Sequence, residues 1–144
     1  MRRIVVVAHK TLCGSHLLEE VGRRMKGGDC QVHLVVPMNH PLGAFSEASM
    51  HAEAQKVLDT GARCIRELDP TGSVDVTGEV GDSNPVYAVQ CVQNRGEAID
   101  EIIVSTLPSG PSRWLLGGVP KRMAKAFPGV PVAHVFGDRE HATT

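Results

Sequence analysis

Short runs of β-branched residues alternate along the chain with stretches whose apolar positions recur at three and four. Ile4-Val5-Val6-Val7-Ala8 shows no polar alternation, which is the pattern of a strand covered on both faces, as in a parallel sheet. Val32-His33-Leu34-Val35-Val36 is a second such run, ended by Pro37, and Ile102-Ile103-Val104 is solidly apolar again. Val74 to Val80 alternates instead, which predicts a half-exposed strand at a sheet edge. Val130 to Phe136 is the last run, and its Pro131 suits a strand start or an edge strand.

Helical patterns fill the gaps. Leu17, Leu18, Val21 and Met25 share one face, with Ser15 as a candidate N-cap and Gly27-Gly28 as the stop. From Ser46 to Leu68 a longer stripe runs through Met50, Ala54, Val57, Gly61, Cys64, Ile65 and Leu68, and Asp69-Pro70-Thr71-Gly72 ends it. A third helix starts with Ser83 or Asn84 as cap and Pro85 in its first turn; Val86, Val89 and Val92 or Cys91 form its apolar face. Leu116, Val119, Met123, Ala126 and Phe127 mark a fourth, closed by Pro128-Gly129. Strict alternation of strand and helix implies parallel strands joined by right-handed crossovers, hence a three-layer α/β/α sandwich. The chain has 144 residues, which suits one domain. That domain is expected over 1–137, with 138–144 as a loose tail and Met38 to Ala44 as a loose loop.

Composition narrows the function classes. Hydrophobic residues make up 42% and charged residues 22%, which excludes wholesale disorder. Lys+Arg is 15 against Asp+Glu 16, so the basic footprint of a nucleic-acid binder is missing. No apolar run approaches the roughly 20 residues that cross a bilayer. The apolar run after Arg2-Arg3 is interrupted by His9 and Lys10, too early for a signal peptide. Cys13, Cys30, Cys64 and Cys91 are widely spaced, with no CxxC, and are expected to be reduced thiols of a cytoplasmic protein.

In open parallel sheets, ligands bind beyond the carboxyl ends of the strands, where the winding direction switches. By that rule the candidate ligand contacts are His9 and Thr11 after the first strand, Val36 at the end of the second, and Gly81 and Asp82 after the third. Ser105, Thr106, Ser109, Gly110, Ser112, Arg113, Gly117 and Gly118 are the candidates in the segment after the fourth. That segment holds the single tryptophan, Trp114, and a loop of its length in a compact domain usually has a function. Gly117-Gly118 leads into the fourth helix, where free N–H groups attract anions and glycine lets a phosphate approach the backbone. Ser109, Ser112 and Arg113 add side-chain donors. A plain turn explains the glycine pair equally well, and Pro120 removes one N–H from the first turn.

The run Ile102 to Ser105, then Ser109-Gly110-Pro111-Ser112-Arg113-Trp114-Leu115-Leu116-Gly117-Gly118-Val119, resembles the signature loop of the universal stress protein family. Lys121-Arg122-Met123 and Pro131-Val132-Ala133-His134-Val135 are similar to the family's segments C-terminal to that loop. The resemblance covers nearly the whole chain in element order and is specific in the last third. It implies a Rossmann-like sandwich of the adenine nucleotide alpha hydrolase type, with five parallel strands in order 3-2-1-4-5. It also implies a homodimer through the last strand, Val130 to Phe136. Many members bind ATP, using an Asp after the first strand and a loop reading Gly, two residues, Gly, nine residues, then Gly followed by Ser or Thr. Here His9 stands at the aspartate position, Leu107 and Val104 where the first two glycines fall when counted back from Gly117, and Gly118 in place of the final hydroxyl residue. The chain therefore resembles a divergent member whose ATP loop has been lost or rebuilt.

The remaining candidates carry structural readings beside functional ones. His9 contacts a base or phosphate, or hydrogen-bonds a loop carbonyl. His33 and His134 read as core or interface histidines, and Asp82 as a cap of the third helix. Cys13 reads as a half-buried inert thiol and Trp114 as packing. His9, His16 and His40 lie near strand ends, but no histidine spacing marks a metal site. There is no G-x-S-x-G elbow, nor an H-x-G-H signature after the first strand. The expected function is a non-catalytic, stress-related or regulatory binding module. It would take ATP, another adenine nucleotide or another small anion weakly, and act as a dimer without nucleic-acid or membrane partners. The alternatives are a dimeric scaffold that binds no nucleotide and, with less support, a small-molecule hydrolase built on Ser105.

Overall fold

The computed structural model describes residues 2–9, 11–27, 29–38, 46–106 and 118–136. Its elements are β1 (Arg2–Val7), α1 (Ser15–Met25), β2 (Cys30–Pro37), α2 (Glu47–Arg66), β3 (Asp75–Gly81), α3 (Pro85–Asn94), β4 (Glu101–Thr106), α4 (Val119–Ala126) and β5 (Val132–Phe136). All neighbouring strands pair in parallel, in the order β3-β2-β1-β4-β5. This is the predicted topology, with the alternating β3 on an edge.

The two-residue period of the strands sorts the core into two layers. Ile4, Val6, Leu34 and Ile103 face α1 and α2, packing with Leu17, Val21, Ala54, Leu58 and Ile65. Val5, Val7, Ile102 and Val104 face α3 and α4, packing with Val89, Val92, Met123 and Phe127. Ile4 to Val7 and Ile102 to Val104 are fully buried, as strands covered on both faces must be.

Side-chain capping explains two of the four helix starts among the described residues. Ser46 accepts a hydrogen bond from the Ser49 N–H at 3.1 Å, and Asn84 accepts from Val86 and Tyr87. At α1 the cap is Gly14, and Ser15 is already helical. The buried stripe of α2 also differs from expectation in detail. Leu58 and Ala62 belong to it, whereas Leu68 lies beyond the helix end and is 38% exposed. Strand β4 runs through Thr106, so Ser105 and Thr106 belong to the sheet rather than to the loop after it.

Among the described residues, His33 is the polar side chain set deep in the middle of the sheet, 6% exposed. Its Nδ1 lies 2.7 Å from Thr77 Oγ1 and its Nε2 2.7 Å from Glu79 Oε1, so both ring nitrogens are satisfied toward the edge strand. Burial pushes the Glu79 carboxyl up, but hydrogen bonds from Arg95 and His33 outweigh it and hold it below the ordinary carboxylate value. This is the core histidine that the sequence suggests.

The cysteines correct an expectation. Cys13 and Cys64 form a disulfide with their Cα atoms 5.9 Å apart, while Cys30 and Cys91 are free. Sequence spacing could not reveal the pair, because the crossover through β2 brings residues 51 apart together. Closing a loop of that length removes unfolded-state entropy equivalent to about 4 kcal/mol.

Beside this bond, Gly61 of α2 packs on Leu12, which is 1% exposed, and a Cβ at Gly61 would overlap the Leu12 side chain. Gly61→Ala should therefore destabilise the fold by about 1–3 kcal/mol through overpacking, measurable by urea unfolding. An unchanged midpoint would mean that this contact is not close.

Candidate functional site

The chain winds from β1 through β2 to β3 on one side of the sheet, then crosses to β4 and β5 on the other. The crevice of such a sheet opens beyond the carboxyl ends of β1 and β4. At that point the side chains change from apolar to polar. After Val7 come His9 and Thr11; after Val104 come Ser105 and Thr106. Thr11, Ser105 and Thr106 are 3%, 2% and 2% exposed, so these hydroxyls stand inside the fold.

Two turns shape the segment after β1. The Leu12 N–H donates to the His9 carbonyl at 3.2 Å, and the Gly14 N–H to the Thr11 carbonyl at 2.9 Å. They carry Thr11 over the end of β4, where its Oγ1 lies 2.7 Å from Ser105 Oγ. This bond bridges the two strands at which the winding reverses. Strand alternation sends the next hydroxyl to the opposite face: Thr106 Oγ1 lies 2.7 Å from His134 Nε2 on β5. The His134 ring leans on Phe136, with centroids 4.4 Å apart, and burial pushes its imidazole below the ordinary value. His16, at the start of α1, places Nδ1 3.0 Å from the Phe136 carbonyl. The ends of β1, β4 and β5 thus carry hydroxyls and imidazoles on both faces of the sheet.

The other sequence candidates fall differently. His9 is half-buried at the end of β1, with both ring nitrogens shielded from solvent. The Val36 side chain is fully buried in the core. Gly81 lies against Ala88 of α3, and its carbonyl accepts the Met38 N–H at 3.0 Å. Asp82 accepts from the Asn84 N–H at 2.9 Å and so shapes the approach to α3, but the cap of that helix is Asn84 and not Asp82. Gly118 is the residue before α4, with φ of 66°, a left-handed conformation that suits glycine. Ser109, Gly110, Ser112, Arg113 and Gly117 lie outside the described residues, as do His40 and Trp114.

Ser105 Oγ is paired with a threonine hydroxyl, which cannot serve as a general base. Among the described residues, no group of three or more His, Cys, Asp or Glu gathers to hold a metal ion. A groove of about 540 Å³ runs between α2 and Gly78 of β3, lined by Gln55, Asp59, Arg63, Arg66 and Glu67 among others. It opens beside the middle of the edge strand and contains none of the candidate residues. His134 and His16 also stand beside the ends of β4 and β5. Their signal was position alone, since the last strand and the start of the first helix flank the switch point.

Solved structures supply the comparison. A universal stress protein from Archaeoglobus fulgidus superposes with a TM-score of 0.58, at 14% identity, over 94% of this chain and 93% of its own. This chain has the universal stress protein fold. A universal stress protein in complex with cAMP gives a TM-score of 0.54 at 18% identity, covering 95% of this chain and 98% of its own. The Archaeoglobus fulgidus universal stress protein in complex with dAMP gives 0.58 at 17% identity, covering 94% and 98%. No family model and no curated protein matches the sequence. The five-strand order expected from the resemblance is the one observed.

The hydroxyl bridge can be tested without a ligand. Thr11→Val or Ser105→Ala alone leaves a buried hydroxyl without its partner and should cost about 1–3 kcal/mol. The double variant should cost less than the sum of the two, measured as a double-mutant cycle by denaturant unfolding. Strict additivity would mean that the two hydroxyls do not interact.

Proposed function

We propose that this universal-stress-protein-like chain is a non-catalytic binding module that takes an adenine nucleotide, or another small anion, at the carboxyl ends of β1 and β4. The reading is carried by the abrupt change to polar side chains there. Strands β1 and β4 are apolar through Val7 and Val104; β4 then ends in Ser105 and Thr106, which meet Thr11 of the turn after β1 and His134 of β5. A core strand ending without a task would gain more from valine than from hydroxyls that must each find a partner. Two structures of the same fold are described in complex with adenine nucleotides, cAMP and dAMP, which supports that ligand class.

In this reading His9, standing where the family has aspartate, removes a negative charge from the mouth of β1 and favours an anion. Ser109, Gly110, Ser112, Arg113, Gly117 and Gly118 are further contacts to the ligand in this proposal. A stress-related or regulatory role is part of the same proposal.

A second reading rests on β5. Among the described strands this edge strand pairs with β4 alone, Val132 to Val135 are half-buried, and Phe136 is 50% exposed. Such an edge favours pairing with a second copy, a homodimer through Val130 to Phe136. It also supports the scaffold alternative, in which the dimer is the product and no nucleotide binds.

One experiment separates the two. Melting curves are recorded with and without millimolar ATP, AMP, cyclic AMP and phosphate, beside light scattering of the free protein. A ligand at a hundred times its dissociation constant should stabilise the fold by about 2.7 kcal/mol. A shift with at least one adenine nucleotide is expected. No shift with any of them, in a protein that scatters as a dimer, leaves only the scaffold.

A further inference from the structure

The turn after β1 is fastened to α2 by two contacts and approaches it at a third. Leu12 packs on Gly61, Cys13 is bonded to Cys64, and Cys13 Sγ lies 3.5 Å from the Thr60 carbonyl. The third contact is chemically informative. A disulfide sulfur carries no proton, so the Thr60 carbonyl gains a donor at this position only when Cys13 is a thiol. When the bond opens and the sulfurs part, the Cys13 thiol has this carbonyl as a nearby acceptor. Cys13 and Cys64 are each half-buried, within reach of a small reagent, whereas Cys30 is 1% exposed. Two residues before Cys13 stands Thr11, whose hydroxyl bridges to Ser105.

We propose that Cys13 and Cys64 form a reversible dithiol–disulfide pair whose state sets the order of the turn at residues 11–14, and through it the hold of Thr11 on Ser105. The oxidant is a low-molecular-weight disulfide of the glutathione type. One protein thiolate attacks a sulfur of that disulfide, making a mixed disulfide and expelling one small thiolate. The second protein thiolate attacks the protein-side sulfur, closes the Cys13–Cys64 bond and expels the second small thiolate. Two protein thiols lose two protons and two electrons, and one small disulfide becomes two small thiols. Excess small thiol drives the same steps backward. With the bond open, the turn keeps its hydrogen bonds from Leu12 to His9 and from Gly14 to Thr11, but α2 holds it only through the contacts of Leu12 and Cys13.

The experiment uses the full chain with Cys91→Ser, which leaves the pair and the buried Cys30, and no ligand is added. The protein is equilibrated across ratios of reduced to oxidised glutathione. Free thiols are counted by mass after alkylation, and amide exchange is followed at Leu12 and Gly14. We expect one transition that releases two thiols, with exchange at Leu12 and Gly14 faster by about tenfold or more in the reduced form and unchanged at Val5 to Val7. The C13S/C64S double variant should exchange like the reduced protein at every ratio. A bond that stays closed in fully reducing glutathione while the fold is intact would overturn the proposal. So would opening without any change of exchange in the turn, or the absence of the bond under oxidising conditions. Because no nucleotide enters the test, its failure would leave the ligand reading untouched.

Discussion

Burial of the sheet between two helical layers is the constraint on which everything else rests. A central strand covered on both faces can afford polar side chains only where a partner is at hand. In the middle of the sheet His33 meets that condition, its ring nitrogens both taken by Thr77 and Glu79 on the neighbouring edge strand. The condition is met again at the carboxyl ends of β1 and β4, where the helical cover gives way. There the hydroxyls are paired across strands that are distant in sequence, Thr11 with Ser105 and Thr106 with His134.

The pairing follows from register and parity. Val7 lies opposite Val104, so the segments that leave β1 and β4 begin side by side. Ser105 shares the face of Ile103, toward α1 and α2, and meets the turn that leads into α1. Thr106 shares the face of Val104, toward α3 and α4, and meets β5. One dipeptide thus serves both sides of the sheet, and a shift of a single residue in β4 would exchange the two partners.

Much of the fold was legible because periodicity reports burial. Unbroken β-branched runs marked the covered strands, alternation marked the edge, and Asn84-Pro85 and Ser46 marked helix starts. What failed to show depended on three-dimensional approach. Cys13 and Cys64 looked unrelated because their meeting depends on how α2 lies across the sheet, and spacing along the chain carries no trace of that. Ser105 and Thr106 looked like loop residues because hydroxyls seldom end a buried strand. Leu68 looked buried because the helical stripe continued past the point where the helix stops. Of the candidate site, Thr11 meets Ser105 on one face of the sheet and Thr106 meets His134 on the other. Asp82 is engaged in the turn before α3, Gly81 at the end of β3, and Val36 in the core.

The disulfide and the hydroxyl bridge act on one short turn from opposite sides, α2 holding it at Cys13 and β4 at Thr11. A ligand at the strand ends must meet that turn first. The most direct measurement is therefore amide and side-chain NMR of the oxidised protein titrated with ATP and AMP to millimolar concentration. Saturable shifts centred on Thr11, Ser105, Thr106 and His134 are the predicted result. Shifts confined to the groove around Arg63 and Arg66, or none at all, would contradict a binding site at the strand ends.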